Sequence, residues 1–288
     1  MQPAPAEAQW MRILQLSDPH LLADPEGLCR GRRSLARLRE GLELLLTRLA
    51  AAATPPDLLL LSGDLCQDES WGGYGRLREL LAAQPGLPPV ALLPGNHDHP
   101  LLLRAALARQ ATLAPARLSL GRGPGSRRLL LLDSHLPGRV EGRLGEAQRA
   151  WLRWELAAAA ADGAWLLLAV HHPPLPIGDP MLDAIGLDDG PALLELLASA
   201  PAVRALVFGH VHQYWRGSLP GAAGRPLLAC PSSLAPFGPV QPCPLRRPED
   251  PGALLLELQQ TGEIRHRLLR WTAANAPRVL IAPAHPGP

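Results

Sequence analysis

Short runs of aliphatic residues recur along the chain, and each is bounded by Gly, Pro, Asp or Ser. These runs are too short for helices and show no alternation with polar residues, which is the pattern of strands buried on both faces. Seven strands are predicted on this basis, at 11–17, 57–63, 90–95, 128–134, 165–170, 203–209 and 226–230. Two more are predicted near the C-terminus, in the segments GALLLELQ and EIRHRLLRW.

Longer segments with apolar residues at helical spacing lie between these strands. Helices are predicted at 34–53, 75–83, 101–110, 145–161 and 191–200. Ser34 is the predicted N-cap of the first helix, because a hydroxyl there can accept from a free backbone N–H. The alternation of strands and helices predicts an α/β protein with helices covering the sheets.

The length of 288 residues and the 47% hydrophobic content allow one large domain with a sizeable core. We place this domain at 10–272, between a flexible N-terminus at 1–9 and a Pro-rich C-terminal tail at 273–288. Two Pro-rich stretches, 235–251 and 276–288, are predicted to lack regular structure.

The net charge of +2, from 28 basic and 26 acidic residues, argues against a long nucleic acid or an anionic membrane as partner. The N-terminus lacks a secretion signal and the apolar runs are too short to span a bilayer, so we expect a cytoplasmic protein. The cysteines lie far apart and form no CxxC pair, so we expect neither a zinc knuckle nor a disulfide framework. They are Cys29, Cys66, Cys230 and Cys243.

Polar side chains follow five of the predicted strands, at the point where each strand ends. The motifs are Ser17-Asp18-Pro19-His20, Gly63-Asp64, Gly95-Asn96-His97-Asp98, His171-His172 and Gly209-His210-Val211-His212. Each motif alone fits a polar turn or core histidines. Because the carboxyl ends of strands form the ligand crevice of α/β sheets, all five together predict one site.

A pair of metal ions would use most of these side chains. The predicted ligands are Asp18, His20, Asp64, Asn96, His171, His210 and His212. The two oxygens of Asp64 can bridge two ions, and nitrogen and oxygen donors without thiolate suit manganese, iron or zinc. Two divalent ions outweigh two carboxylates, so the site favours an anion, and two-metal sites hydrolyse phosphate esters.

These motifs, in this order, resemble the calcineurin-like metallophosphoesterase superfamily, whose pattern is D-x-H, GD, GNH-D/E, H and GH-x-H. The segments GDLCQDES, LLDSHLPGRVEGRLGEAQRAWL, HHPPLPIGDPMLDAIGL and FGHVHQ are similar to its class III cyclic nucleotide phosphodiesterase branch. The resemblance covers about residues 11–270. It implies a sandwich of two mixed β-sheets flanked by helices, in four α/β/β/α layers.

The resemblance also implies two divalent or mixed-valence metal ions, iron or manganese, with zinc as a further option. One metal would take Asp18, His20, Asp64 and His212, and the other Asp64, Asn96, His171 and His210. The implied catalytic residues are His97, which would protonate the leaving alkoxide or stabilise the transition state, and Asp98, which would orient the His97 imidazole.

The implied activity is that of a phosphoric diester hydrolase. It would convert 3′,5′-cyclic AMP to 5′-AMP by attack of a metal-bridging hydroxide on phosphorus. A broad phosphodiesterase for glycerophosphodiesters or 2′,3′-cyclic nucleotides would use the same residues, and a non-catalytic metal-binding scaffold is the third alternative. The expected partner is a small-molecule phosphodiester substrate. Neither a membrane nor a long nucleic acid is expected, and the sequence is compatible with a homodimer.

Some roles stay open at this level. Either His171 or His172 can face the metal, although family position favours His171. Gln67 and Asp68 fit either partners of a histidine or a solvated turn. Aromatic residues near the motifs fit stacking on a purine or ordinary packing, namely Trp71, Tyr74, Trp215 and Phe237. An arginine cluster fits a phosphate-binding loop or a solvent-facing surface, namely Arg30, Arg32 and Arg33.

Overall fold

The structure is a computed structural model and describes residues 10–121, 125–272 and 278–286. Its strands are β1 (Met11–Leu16), β2 (Leu28–Cys29), β3 (Arg32–Arg33), β4 (Leu58–Ser62), β5 (Val90–Leu93), β6 (Ala111–Leu113), β7 (Ala116–Leu120), β8 (Arg127–Leu131), β9 (Trp165–Ala169), β10 (Val203–Phe208), β11 (Trp215–Ser218), β12 (Pro226–Ala229), β13 (Gly252–Leu258), β14 (Ile264–Thr272), β15 (Arg278–Ile281) and β16 (His285–Pro286). Its helices are α1 (Ser34–Ala51), α2 (Trp71–Ala83), α3 (Pro100–Leu107), α4 (Gly145–Ala161), α5 (Pro180–Asp183) and α6 (Gly190–Ala198).

Two large mixed sheets make up the centre of the molecule. The first runs β15-β14-β13-β1-β4-β5-β6, with β16 also paired to β14, and the second runs β11-β12-β10-β9-β8-β7. Strands β1, β4, β5 and β6 are parallel to one another, as are β8, β9, β10 and β12. The carboxyl ends of these parallel strands are the positions at which the sequence places its polar motifs.

Both faces of the central strands of each sheet are buried, as in β4 and β9. In β4, Leu59 and Leu61 join the core that includes α1, α2 and α3, whereas Leu58 and Leu60 join the core between the sheets. In the second sheet, Leu130 packs on the side of α4, α5 and α6. Two covered faces explain why the strand sequences show no polar alternation, and the resulting layers are the predicted α/β/β/α arrangement.

All nine predicted strands and all five predicted helices form, with some errors at their ends. Helix α2 begins at Trp71 rather than at 75, and the Ser70 hydroxyl accepts from Gly73 N at 2.9 Å as its cap. The predicted cap of α1 is wrong, because Ser34 is the first helical residue and Arg33 takes the N-cap position without a side-chain bond. Ser34 is buried instead.

The prediction of an irregular stretch at 276–288 is wrong for β15 and β16, which both pair with β14. The edge of β14 offers unpaired backbone groups, and Val279 and Ile281 pack against the core beside α1. The predicted N-terminal segment 1–9 lies outside the described residues, as do 273–277 of the tail. No helix or strand lies within 235–251, as predicted. Among the described helices, none combines the length and apolarity needed to cross a membrane.

Candidate metal centre

The five polar motifs meet at one end of the two sheets. Asp18, Asp64 and Asn96 follow strands β1, β4 and β5 of the first sheet, while the histidine motifs follow β9 and β10 of the second. Backbone bonds join neighbouring loops, with Asp18 N donating to Gly63 O at 3.1 Å and His20 N to Asp64 O at 3.0 Å. The predicted ligands therefore converge, and we call these seven residues the candidate metal centre.

Several residues of the centre have a left-handed backbone, with φ values between 47° and 67°. They are Asp18, His20, Asp64, His210 and His212. This conformation is uncommon for residues other than glycine, costs about 1–3 kcal/mol each, and clusters at functional sites. The surrounding loops must therefore hold these residues in place.

Glycine is required where the loops pass closest to the centre. Gly63 has φ +101°, and a Cβ there would collide with the His171 ring. A Cβ at Gly95 would collide with the Asp64 carboxylate. Glycine thus provides space at both positions, and at Gly63 it also provides backbone freedom.

One group of donors consists of Asp18, His20, Asp64 and His212, all buried. Their candidate ligand atoms lie within 4.8 Å of one another. The Nε2 atoms of His20 and His212 are 3.0 Å apart, and His212 Nε2 is 3.3 Å from Asp18 Oδ1. Asp64 Oδ2 lies 3.8 Å from His20 Nε2. Two imidazoles and two carboxylates therefore surround one small volume.

A second group lies on the other side of Asp64. His171 Nε2 is 3.4 Å from Asp64 Oδ1, and His210 Nδ1 is 3.0 Å from Asn96 Oδ1. Asp64 thus presents one oxygen to His20 and the other to His171. This is the arrangement expected of a carboxylate shared by two cations.

The donor atoms fit a metal pair. Nitrogen and oxygen atoms of the centre face one another over short distances, with His20 Nε2 3.0 Å from His212 Nε2 and His171 Nε2 3.4 Å from Asp64 Oδ1. Buried polar atoms need a partner, and a cation among these lone pairs and carboxylates would supply one. Nitrogen and oxygen donors without thiolate are the ligands of catalytic zinc, iron or manganese.

The electrostatics favour neutral imidazoles at His20 and His210 and an ionised carboxylate at Asp64. Burial lowers the pKa of His20 to about 4, and burial together with the His171 charge lowers the pKa of His210 to about 3. Burial opposes ionisation of Asp64, but the charge and hydrogen bond of His171 outweigh it and lower the Asp64 pKa. Burial likewise opposes a charge on His171, but the Asp64 carboxylate outweighs it and raises the pKa of His171 to about 9. His20 and His210 therefore keep the lone pair that a metal needs, whereas His171 would release its proton on binding one.

The geometry distinguishes His171 from its neighbour. His171 Nδ1 lies 2.8 Å from Ser62 O, which leaves Nε2 facing Asp64. Both nitrogens of His172 are engaged, Nδ1 with Ser134 Oγ at 2.8 Å and Nε2 with Val140 O at 3.1 Å. His172 lies close to His171 and His210, but both of its nitrogens hold the loop of Ser134 and Val140. Of the two neighbouring histidines, His171 is therefore the one whose Nε2 faces Asp64.

His97 lies beside the centre, and its ring is 5.2 Å from that of His20. The prediction that Asp98 orients this imidazole is wrong, because Gln67 Nε2 is the atom that lies 3.1 Å from His97 Nδ1. Of the two candidate partners of a histidine, Gln67 is therefore the one that contacts His97. Asp68 instead accepts from the Ser70 hydroxyl in a turn.

Asp98 is fully buried and has a different role. It accepts from Leu65 N, Cys66 N and Gly95 N at 2.8–3.1 Å, and from Tyr74 Oη at 3.0 Å. These bonds join the GD loop to the GNHD loop, so Asp98 positions the backbone around Asp64. The sequence gives no signal for this, because the donors are backbone groups of a distant segment.

Asp98→Ala is therefore expected to destabilise the protein. The substitution leaves buried backbone N–H groups unpaired at about 1–3 kcal/mol each, so the free energy of unfolding should fall by about 3 kcal/mol or more. Urea denaturation measures this loss, with Asp188→Ala as control because its carboxylate is 39% exposed. Equal stability of the two variants would contradict the assigned role.

The remaining candidates are mostly structural. Tyr74 and Trp215 are buried, and Phe237 stacks on the His212 ring at 4.4 Å. The Arg30 guanidinium lies over the Phe237 ring at 4.8 Å from its centroid. Arg32 and Arg33 are exposed, and Arg33 pairs with Glu26, so these two arginines face solvent.

Solved structures share the fold of this chain. A dimetal phosphatase from Danio rerio has a TM-score of 0.62 at 14% identity, covering 94% of this chain and 98% of that one. GAP50, the anchor in the inner membrane complex of Plasmodium, has a TM-score of 0.66 at 13% identity, with coverage of 96% and 88%. At these identities the likeness shows the fold alone.

Sequence comparison shows the family. A probable cyclic nucleotide phosphodiesterase of Synechococcus sp. (strain WH7803) is 45% identical over 269 residues, covering 92% of this chain and 98% of the relative. The 3′,5′-cyclic adenosine monophosphate phosphodiesterase CpdA of Pseudomonas aeruginosa is 37% identical over 238 residues, covering 82% and 80%. The family model for calcineurin-like phosphoesterases matches residues 11–214. The chain therefore belongs to the calcineurin-like phosphoesterase family.

Proposed function

We propose that the protein is a metal-dependent phosphodiesterase that hydrolyses 3′,5′-cyclic nucleotides, with cyclic AMP converted to 5′-AMP. The observation that carries the proposal is the pair of donor groups that share Asp64. The names of the similar proteins from Synechococcus and Pseudomonas support the choice of a cyclic nucleotide as substrate.

The proposed ligands divide between two ions. Asp18, His20 and His212 would hold one, the other would take donors from the second group, and Asp64 would contact both. When bound, a pair of divalent ions supplies hydroxide at neutral pH and neutralises the phosphoryl oxygens. We propose iron or manganese, with zinc as a further option, because the donors are nitrogen and oxygen atoms.

His97 is the proposed proton donor to the leaving alkoxide. It lines the cavity that opens at Asn96, and the Gln67 amide holds Nδ1 at 3.1 Å. If the amide N–H donates to Nδ1, the proton of the neutral imidazole resides on Nε2, facing the leaving oxygen. Transfer of this proton is balanced when Nδ1 takes up a proton from solvent, so that the ring ends as a neutral imidazole. Gln67 is then a positioning residue that sets the tautomer.

The test is a substrate panel on one preparation of purified protein. Protein loaded with Mn²⁺ should convert cyclic AMP to 5′-AMP, and a chelator should abolish the reaction until metal is restored. No turnover with Mn²⁺, Fe²⁺ or Zn²⁺ would reject the proposal. A kcat/KM for a glycerophosphodiester or a 2′,3′-cyclic nucleotide well above that for cyclic AMP would instead favour the broad phosphodiesterase.

A further inference from the structure

A cavity of about 570 Å³ opens beside the candidate metal centre, and we call it the side cavity. Asn96 and His97 form its inner wall, and the first turn of α3 and the loop 135–140 form its outer walls. Its volume falls within the about 300–1,000 Å³ of small-molecule sites. A phosphodiester held at the centre can therefore extend one of its organic groups into this space.

Two apolar side chains line the side cavity from different elements. Leu101 comes from α3 and is 73% exposed, and Val140 comes from the loop and is 51% exposed. Small-molecule sites typically combine apolar lining side chains with a few polar groups, which is the composition of this cavity. A planar ring held between them would bury apolar surface, which is favourable by about 25 cal/mol per Å².

The loop that carries Val140 is fixed from within. His172 lies within hydrogen-bond distance of both Ser134 Oγ and Val140 O, so it spans the loop. His135 Nδ1 lies 3.0 Å from Gly95 O and joins the loop to the GNHD motif. The position of Val140 relative to the centre is thus set before a ligand binds.

The turn that carries Leu101 is fixed as well. His99 N donates to Tyr74 Oη at 2.7 Å, and Leu103 N donates to His99 O at 3.0 Å. Pro100 occupies the first position of α3, where its fixed φ suits a helix start. A site with both walls held in place loses little entropy on binding.

None of the four aromatic candidates is among the residues that line the side cavity. Phe237 contacts His212 and Arg30, Tyr74 and Trp215 are buried, and Trp71 is 50% exposed but lies outside this lining. A base in the side cavity would therefore contact aliphatic side chains and not the ring of a Trp, Tyr or Phe residue.

We propose that Leu101 and Val140 clamp the nucleobase of the substrate, and that this clamp selects nucleotides over phosphodiesters of small polar alcohols. The inference rests on the proposed function and adds the location and chemistry of the nucleoside subsite. A base between two aliphatic side chains gains apolar contact, whereas a glycerol group gains almost none.

The first test is kinetic. Leu101→Ala and Val140→Ala should each raise KM for cyclic AMP about tenfold, the lower end for a missing apolar group in a binding pocket, with a smaller effect on kcat. Trp154→Ala and Met181→Ala are matched controls, because both side chains are exposed, 59% and 77%, and neither lines the side cavity. Unchanged KM values in both clamp variants would overturn the proposal.

The second test does not depend on turnover. Adenosine is titrated into the metal-free and the Zn²⁺-loaded protein while methyl resonances are followed by NMR. The Leu101 and Val140 methyl groups should shift together, and the shifts of neighbouring resonances should weaken in each clamp variant. If cyclic AMP is not hydrolysed but these shifts occur, the proposed function fails and the clamp stands. Shifts confined to residues outside the side cavity would overturn the clamp.

Discussion

Asp64→Ala is expected to abolish phosphodiester hydrolysis and the binding of a metal pair while the protein remains folded. Asp64 faces both donor groups, with Oδ2 3.8 Å from His20 Nε2 and Oδ1 3.4 Å from His171 Nε2. Its removal leaves Asp18 as the only carboxylate of the centre. We expect the loss of activity to exceed the about 10²–10³-fold that follows removal of one electrostatic stabiliser from an active site.

Metal content by elemental analysis, kcat/KM for cyclic AMP and the thermal melting curve test this prediction on one preparation. Asp162→Ala is the matched control, because its carboxylate is 57% exposed and pairs with Arg128 at the surface. An active Asp64→Ala variant with two metal equivalents would refute the shared carboxylate. A variant that fails to fold can be replaced by Asp64→Asn, which keeps the side-chain shape and removes the charge.

His97→Ala is expected to lower kcat by about 10²–10⁴-fold, the usual range for loss of a general acid. Metal content should not change, because His97 is not among the donors and its backbone N–H, which donates to Asp64 Oδ1 at 2.9 Å, is kept by the substitution. The loss should be largest for a poor leaving group such as the ribose alkoxide of cyclic AMP.

A nitrophenyl phosphodiester supplies the comparison, since its leaving group departs without protonation. The expected result is a much smaller effect of His97→Ala on this substrate than on cyclic AMP. Equal losses on both substrates would mean that His97 stabilises the transition state without donating a proton. Loss of metal from the variant would show instead that the imidazole is a ligand.

The location of the candidate centre could be predicted because each donor follows a strand with a clear aliphatic signature. The position of Asp64 after β4 and of His210 after β10 depends only on local sequence, and the parallel strands then bring the loops together. The four layers could be predicted from the resemblance, and the unbroken aliphatic runs agree with it.

Contacts between distant backbone groups could not be predicted. Nothing near Asp98 in the sequence indicates that it accepts from Leu65 N and Cys66 N, and nothing near His172 indicates that it holds Val140 O. Helix α2 begins earlier than predicted. Gly72 and Gly73 have low helix propensity, but the Ser70 cap and packing against the core stabilise the helix there. Strand β15 is short, and its sequence alone does not indicate a strand; it forms by pairing with the edge of β14.

The centre takes donors from both sheets, which are held together by an apolar core and, at the centre, by contacts such as His171 Nδ1 to Ser62 O at 2.8 Å. Apolar packing has no direction, so the alignment of Asp64 with His171 also depends on how closely Leu60 and Leu167 interlock in that core, each of them four residues before one of these two residues. A small slide between the layers would separate the carboxylate from the imidazole while every strand stayed intact. The core between the sheets therefore helps to set the distance between the reactive groups. Substitutions that change the size of its side chains should lower activity even where the new side chain is apolar and the protein still folds.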